Sequence, residues 1–242
     1  MTIQSLAGPG KILGLVVFAA LVAASFTNTS RAQQKVPDPK LDVPLAHAKN
    51  SQTAVFAGGC FWGIEAVFEH VKGVQDATSG YAGGNAVTAN YETVSGGQTG
   101  HAESVKVTFD PAMVSYGQLL KVFFSVAHDP TQLNRQTPDR GTQYRSAIFY
   151  TSPEQQRIAT AYITQMSGAK IFGNKPIVTQ VGPLKAFFPA EGYHQDFARL
   201  NPNHPYIVYW DAPKVAHLKQ ELPGLYRNTW STGLASQATP GG

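Results

Sequence analysis

The apolar and polar positions of the chain predict a short series of strands and helices. Thr53 to Ala57 is an almost unbroken apolar run and reads as the first strand. Phe61, Ile64, Val67, Phe68 and Val71 then recur at helical spacing, with Glu65, Glu69, His70 and Lys72 between them, and Gly73 stops the helix. Over 103–109, Val105, Val107 and Phe109 alternate with Ser104, Lys106 and Thr108, the pattern of a half-buried strand. Ser115 caps a second helix whose stripe is Tyr116, Leu119, Leu120, Phe123 and Val126, and His128-Asp129-Pro130 ends it. A polar loop, 130–143, leads into a strand at 144–150. Ser152, Pro153 and Gln155 supply a cap, a first-turn proline and a third-position glutamine for a helix reaching about residue 168. Short strands at 177–181 and 184–188 and a small helix at 191–200 complete the series.

Between these elements the pattern fades. Residues 79–101 hold Gly80, Gly83, Gly84, Gly96, Gly97 and Gly100 among Ser, Thr and Asn, and predict a long structured loop of the kind that carries function. Residues 33–50 read as a linker and 213–242 as an irregular tail. No regular strand–helix alternation emerges, so the expected class is α+β, with helices layered on a mixed sheet.

Composition narrows the function classes. Hydrophobic residues make up 43% of 242, enough for a sizeable core. The formal charge is +4, and setting aside Lys11 and Arg31 leaves 17 basic against 15 acidic residues. With no basic run, nucleic acid is not an expected partner. Lys11 precedes an apolar run, Ile12 to Ala24, that is short for a membrane span; Ser30-Arg31-Ala32 then offers small residues at a cleavage site. Residues 1–32 therefore read as a secretory signal peptide, with an uncleaved anchor as the alternative. The folded part is expected in an exported compartment, a bacterial periplasm.

Cys60 is the only cysteine, which excludes an internal disulfide and a cysteine-based metal cluster. No His/Asp/Glu set has close ligand spacing either, so no metal is expected. Cys60 sits where a strand hands over to a helix, and helix N-termini favour thiolate. Position alone leaves it either a nucleophile or an inert buried residue. A cysteine hydrolase needs a histidine base, and the spacing selects none among His70, His101, His128, His194, His204 and His217. Redox chemistry at sulfur needs a thiolate, an acid and an apolar pocket. Trp62 lies off the helical stripe and suits such a pocket; Phe61, on the stripe, reads equally as core. Glu103, just after the glycine-rich loop, is a candidate acid if partly buried. A non-catalytic secreted binding module is the third reading.

The motifs together decide between these. GCFWG (59–63), GYAGG (80–84), Tyr91-Glu92-Thr93-Val94, TGHAE (99–103), Phe109-Asp110-Pro111, His128 to Gln132 and GTQYRSAIFY (141–150) occur in order. Phe187-Phe188, Glu191 to Gln195 and Asn203 to Tyr206 follow. Over about 53–210 the chain resembles peptide methionine sulfoxide reductase A, of a single-cysteine type. The resemblance implies a two-layer α/β sandwich with a mixed sheet, a ferredoxin-like core and long coil segments, and places the catalytic domain at 51–212. It implies Cys60 as nucleophile, Glu103 as proton donor, and Tyr91 and Tyr144 as hydroxyl donors to the sulfoxide oxygen. Phe61 and Trp62 would hold the substrate methyl group, and Asp139 would bind the substrate backbone. The substrate would be the S epimer of methionine sulfoxide, free or in oxidised proteins, acted on by a monomer without a bound cofactor. The tail lacks the resolving cysteines common in the family. The Cys60 sulfenic acid would need an external thiol from thioredoxin, glutaredoxin or a thioredoxin-like protein.

Overall fold

The structure, a computed structural model, describes residues 35–231. The expected signal peptide, 1–32, and the end of the tail, 232–242, lie outside the described residues.

The elements run β1 (Gln52–Gly58), α1 (Phe61–Glu69), β2 (Val74–Ala82), α2 (Tyr91–Ser95), β3 (Ala102–Phe109), α3 (Tyr116–Val122), β4 (Arg135–Gln136) and β5 (Asp139–Arg140). They continue with β6 (Ser146–Tyr150), α4 (Pro153–Gly168), β7 (Gln180–Pro183), β8 (Phe187–Pro189), α5 (Phe197–Leu200) and α6 (Ala212–Glu221). Six strands form one sheet in the order β7-β6-β1-β3-β2-β8, with only the β6–β7 pair parallel. At its centre α1 joins β1 to β2 and α3 lies between β3 and β6, giving the split βαβ arrangement of the ferredoxin-like core.

Alternation along the strands divides the sheet into two faces. Phe56, Val105, Val107 and Phe109 join Phe68, Tyr116, Phe123, Tyr162 and Met166 in the main core under the helices. Phe56 stacks on Phe68 at 5.1 Å and on Phe123 at 5.0 Å. The other face carries mostly small residues, Val55, Ala57, Ala82, Ala102 and Ala147 with Phe149, against Leu184 and Phe187.

The cap signals hold. Ser115 closes a capping box with Gln118, and Ser152 accepts from Gln155 N–H at the start of α4. α3 continues as a π-helical turn, Phe123–Ala127, before His128. Other expectations shift. The loop expected at 79–101 begins with the end of β2, a strand without an apolar period. Small or polar residues (Ala77, Ser79, Gly80, Ala82) share its buried positions with Val74 and Tyr81, and a bulge between Val74 and Asp76 interrupts the alternation. The strand expected at 144–150 starts at Ser146, after a 3₁₀ turn at Thr142–Tyr144. The helix expected at 191–200 splits around Asp196, whose φ of 54° no helix accommodates, into a 3₁₀ turn and α5.

Residues 35–50 have no helix or strand, as a linker would, yet they are anchored. The Asp42 carboxylate accepts from Gly117 N–H at 2.9 Å, Pro37 C=O accepts from Tyr162 O–H at 2.6 Å, and Val36, Leu41 and Val43 pack on the core. The tail is not irregular from 213. Val215, Leu218 and Leu222 form a helical stripe after Pro213, and α6 packs it on the core. Residues beyond α6 return along α1, where Arg227 and Ser231 N–H donate to the carbonyls of His70 and Glu69.

Candidate active site

The turn between β1 and α1 is built on glycine. Gly59 has φ +98°, and an added Cβ there would lie 2.6 Å from Gln136 Cβ. Only glycine both adopts this conformation and leaves room for Gln136. Cys60 follows, buried, at the mouth of α1.

The first free N–H of α1 does not serve the sulfur. Phe61 N–H donates to Glu103 Oε2 at 3.1 Å, so the helix terminus holds the carboxyl group of β3. Glu103 is 2% exposed. Burial raises its pKa to about 8, against the opposing Phe61 N–H and with help from Asp139, so it carries its proton at neutral pH. Oε2 accepts from the backbone, and Oε1 is left to donate.

The expectation that the helix terminus favours a resting thiolate is overturned in its net effect. Burial pushes the Cys60 thiol well above its usual range, and Glu103 and Asp211 push it further; Trp62 N–H and the Lys214 ammonium oppose them. At rest the site therefore holds a thiol beside a carboxylic acid.

The remaining expected residues converge on this pair. Burial raises the Tyr91 and Tyr144 phenols, and the charges of Glu103 and Cys60 act on both, which places the two hydroxyls around the same centre. Tyr91 begins α2, where Glu191 accepts from its backbone N–H at 2.9 Å and from Tyr81 O–H at 2.8 Å. Tyr144 closes the 3₁₀ turn before β6. Asp139, in β5, accepts from Tyr206 O–H, and burial raises its pKa. Trp62 is half-buried, stacked on Phe197 at 3.8 Å and edge-on to Tyr206 at 5.8 Å. Its indole N–H donates to His194 Nδ1 at 3.2 Å. Phe61 is 1% exposed and packs on Tyr81 and His194, so it backs the site from the core while Trp62 forms the wall.

Sequence reasoning gave no role to Tyr206, Asp211 or Lys214. Tyr206 stood in a quoted motif. Lys214 lies in the stretch that reads as an irregular tail and Asp211 just before it, although Pro213 is a helix-start signal. Four of the six candidate histidines have their ring nitrogens engaged by other groups: His70 with Ala66 C=O, His101 with Gly84 N–H and Asn85 C=O, His128 with Phe123 C=O and Ser146, and His194 with Trp62. No cluster of three potential metal ligands occurs among the described residues.

Comparison with known proteins matches this geometry to a family. The profile described as peptide methionine sulfoxide reductase matches residues 52–224. The chain belongs to the peptide methionine sulfoxide reductase family. The enzyme named peptide methionine sulfoxide reductase MsrA 2 of Mesorhizobium japonicum is 62% identical over 179 residues, covering 74% of this chain and 91% of that protein. Its namesake of Synechocystis sp. is 53% identical over 204 residues, covering 84% and 94%. The crystal structure of reduced Mxr1 from Saccharomyces cerevisiae, 34% identical, superposes with a TM-score of 0.60 over 68% of this chain and 92% of that one. Methionine sulfoxide reductase A of Corynebacterium diphtheriae, 33% identical, gives 0.56 over 71% and 88%. The profile match runs through α6 to residue 224, past residue 212 where the resemblance placed the end of the catalytic domain.

Proposed function

We propose that the chain reduces the S epimer of methionine sulfoxide, free or in proteins, to methionine, and so repairs oxidised protein. The observation that carries this reading is the buried Glu103 carboxyl group, oriented by Phe61 N–H at the turn that carries the lone buried Cys60. A sulfoxide sulfur becomes electrophilic when its oxygen is protonated or strongly hydrogen-bonded. Glu103 supplies the proton, and the Tyr91 and Tyr144 hydroxyls hold the same oxygen. Trp62, locked by His194 and Phe197, is the wall for the S-methyl group. Asp139, with Tyr206, faces the substrate backbone.

The Cys60 sulfur attacks the substrate sulfur as Glu103 protonates the oxygen. This forms a sulfur–sulfur bond; the hydroxyl then passes from the substrate sulfur to the Cys60 sulfur as the substrate's sulfur–oxygen bond and the new sulfur–sulfur bond both break, so methionine leaves and Cys60 becomes a sulfenic acid, and the proton lost by the Cys60 thiol restores Glu103. Cysteine sulfur loses the two electrons that the sulfoxide sulfur gains. Two external thiols then return Cys60 to the thiol, yielding a disulfide and water. Cys60 is the only cysteine in the 242 residues, so a thioredoxin, glutaredoxin or thioredoxin-like protein supplies those thiols. The apolar run after Lys11 supports placing this cycle in an exported compartment.

Without a reductant, one enzyme should release one methionine from the S epimer, none from the R epimer, and leave one trappable sulfenate. Cys60→Ser should abolish both the methionine and the sulfenate. A Cys60→Ser protein that still reduces the sulfoxide would overturn the reading.

A further inference from the structure

α6 brings a charged pair to the turn that carries Cys60. Asp211, completely buried at the end of the π-helical turn Ile207–Asp211, accepts from Lys214 Nζ at 3.0 Å through Oδ1. Its Oδ2 is buried without a hydrogen-bond partner among the described residues. The pair presses on Gly63, one helical turn after Cys60. An added Cβ at Gly63 would lie 2.1 Å from Asp211 Oδ1 and 2.7 Å from Lys214 Nζ. The missing side chain of Gly63 is the space that the pair occupies.

A buried carboxylate against the first turn of α1 makes an anionic sulfur harder to form. So does Glu103, held at Phe61 N–H, once ionised. A cation held in the same space offsets both. We propose that Lys214 is a positioning residue for the nucleophile: Asp211 and Gly63 fix its ammonium beside the first turn of α1, where it stabilises the Cys60 thiolate. The charges point the same way. Glu103 and Asp211 raise the Cys60 thiol while Lys214 lowers it, and the Lys214 charge also reaches Asp139 and His128. The phenols of Tyr91, Tyr144 and Tyr206 complete the titratable groups facing the sulfur.

The inference rests on Cys60 being the nucleophile, but its test needs no sulfoxide, so it can fail without the reductase reading failing. The rate of Cys60 alkylation by iodoacetamide, followed from neutral to alkaline pH, gives the midpoint of thiolate formation independently of the plateau rate. Lys214→Met should raise that midpoint by about one pH unit, a roughly ten-fold loss of thiolate at neutral pH. Lys214→Arg should restore it. Removing the lysine strands Asp211 as an unpaired buried carboxylate. If Lys214→Met fails to fold, the double variant Asp211→Asn/Lys214→Met compared with Asp211→Asn reads the same change. A midpoint left in place or lowered by loss of the lysine, or raised equally by Lys214→Arg, overturns the proposal.

Discussion

Glu103 and Cys60 titrate as a coupled pair, because an ionised Glu103 raises the Cys60 thiol and such a coupling is reciprocal. The reactive form holds one proton between them, as thiolate and carboxylic acid. It forms as the first proton leaves, near the pH of about 8 to which burial lifts Glu103, and disappears when the second is lost. The single-turnover rate at limiting substrate should therefore trace a bell, rising through about pH 8. Glu103→Gln cannot lose the second proton, so its profile should only rise, at a rate roughly a hundred- to ten-thousand-fold lower. A descending alkaline limb retained in Glu103→Gln would remove the glutamate from the reaction. At this scale the sequence was informative about residue types and blind to their partners. Cys60, Glu103 and the two tyrosines lie in motifs, but the bond from Phe61 N–H to Glu103 spans 42 residues and follows no local pattern.

Among the elements, those stated by caps and apolar periods were legible: α3 by Ser115 and Gln118, α4 by Ser152 and Pro153, and β3 by its alternation. β2 was not, because this packed interior strand is mostly small and polar residues, with Val74 and Tyr81 its only large apolar ones. Gly80 shows what that packing demands. An added Cβ would meet the Phe187 ring and the Phe188 carbonyl oxygen, both at 2.4 Å. Since β8 pairs with β2 at this point, Gly80→Ala should push β8 off the sheet edge and destabilise the fold by roughly 1–3 kcal/mol in urea titration. Gly168, the last residue of α4, has open space around it, and Gly168→Ala should be neutral or stabilising by up to about 1 kcal/mol. Equal losses from both would show that backbone freedom, not the close approach of β8, sets the requirement at Gly80.

Across the molecule, the feature furthest from the sequence pattern is the covering of α1. Glu65, Glu69 and His70 fall between the apolar positions of that helix, where polar residues ordinarily meet water. Instead the chain from Asp196 to Ser231 closes over this side, and all three are buried. Burial raises Glu65 to about 8, opposed by the Asp196 backbone N–H and by Ser79, with the Asp196 charge adding to it. Burial raises Glu69 to about 9, with Glu65 and Asp196 adding and Arg199 opposing. Unfolded, both would titrate near the ordinary glutamate value of about 4.3. Between that value and 8–9 the folded chain keeps protons that the unfolded chain releases, so rising pH erodes stability throughout this window and no further above it. Glu65→Gln and Glu69→Gln, which remove the ionisation but keep the shape, should each raise the melting temperature by about 5 °C above pH 9 and change it little near pH 4. The combined variant should melt with a flatter dependence on pH than the parent. Gains of equal size at both ends of the range would mean that shape or hydrogen bonding, and not trapped protons, governs this face of α1.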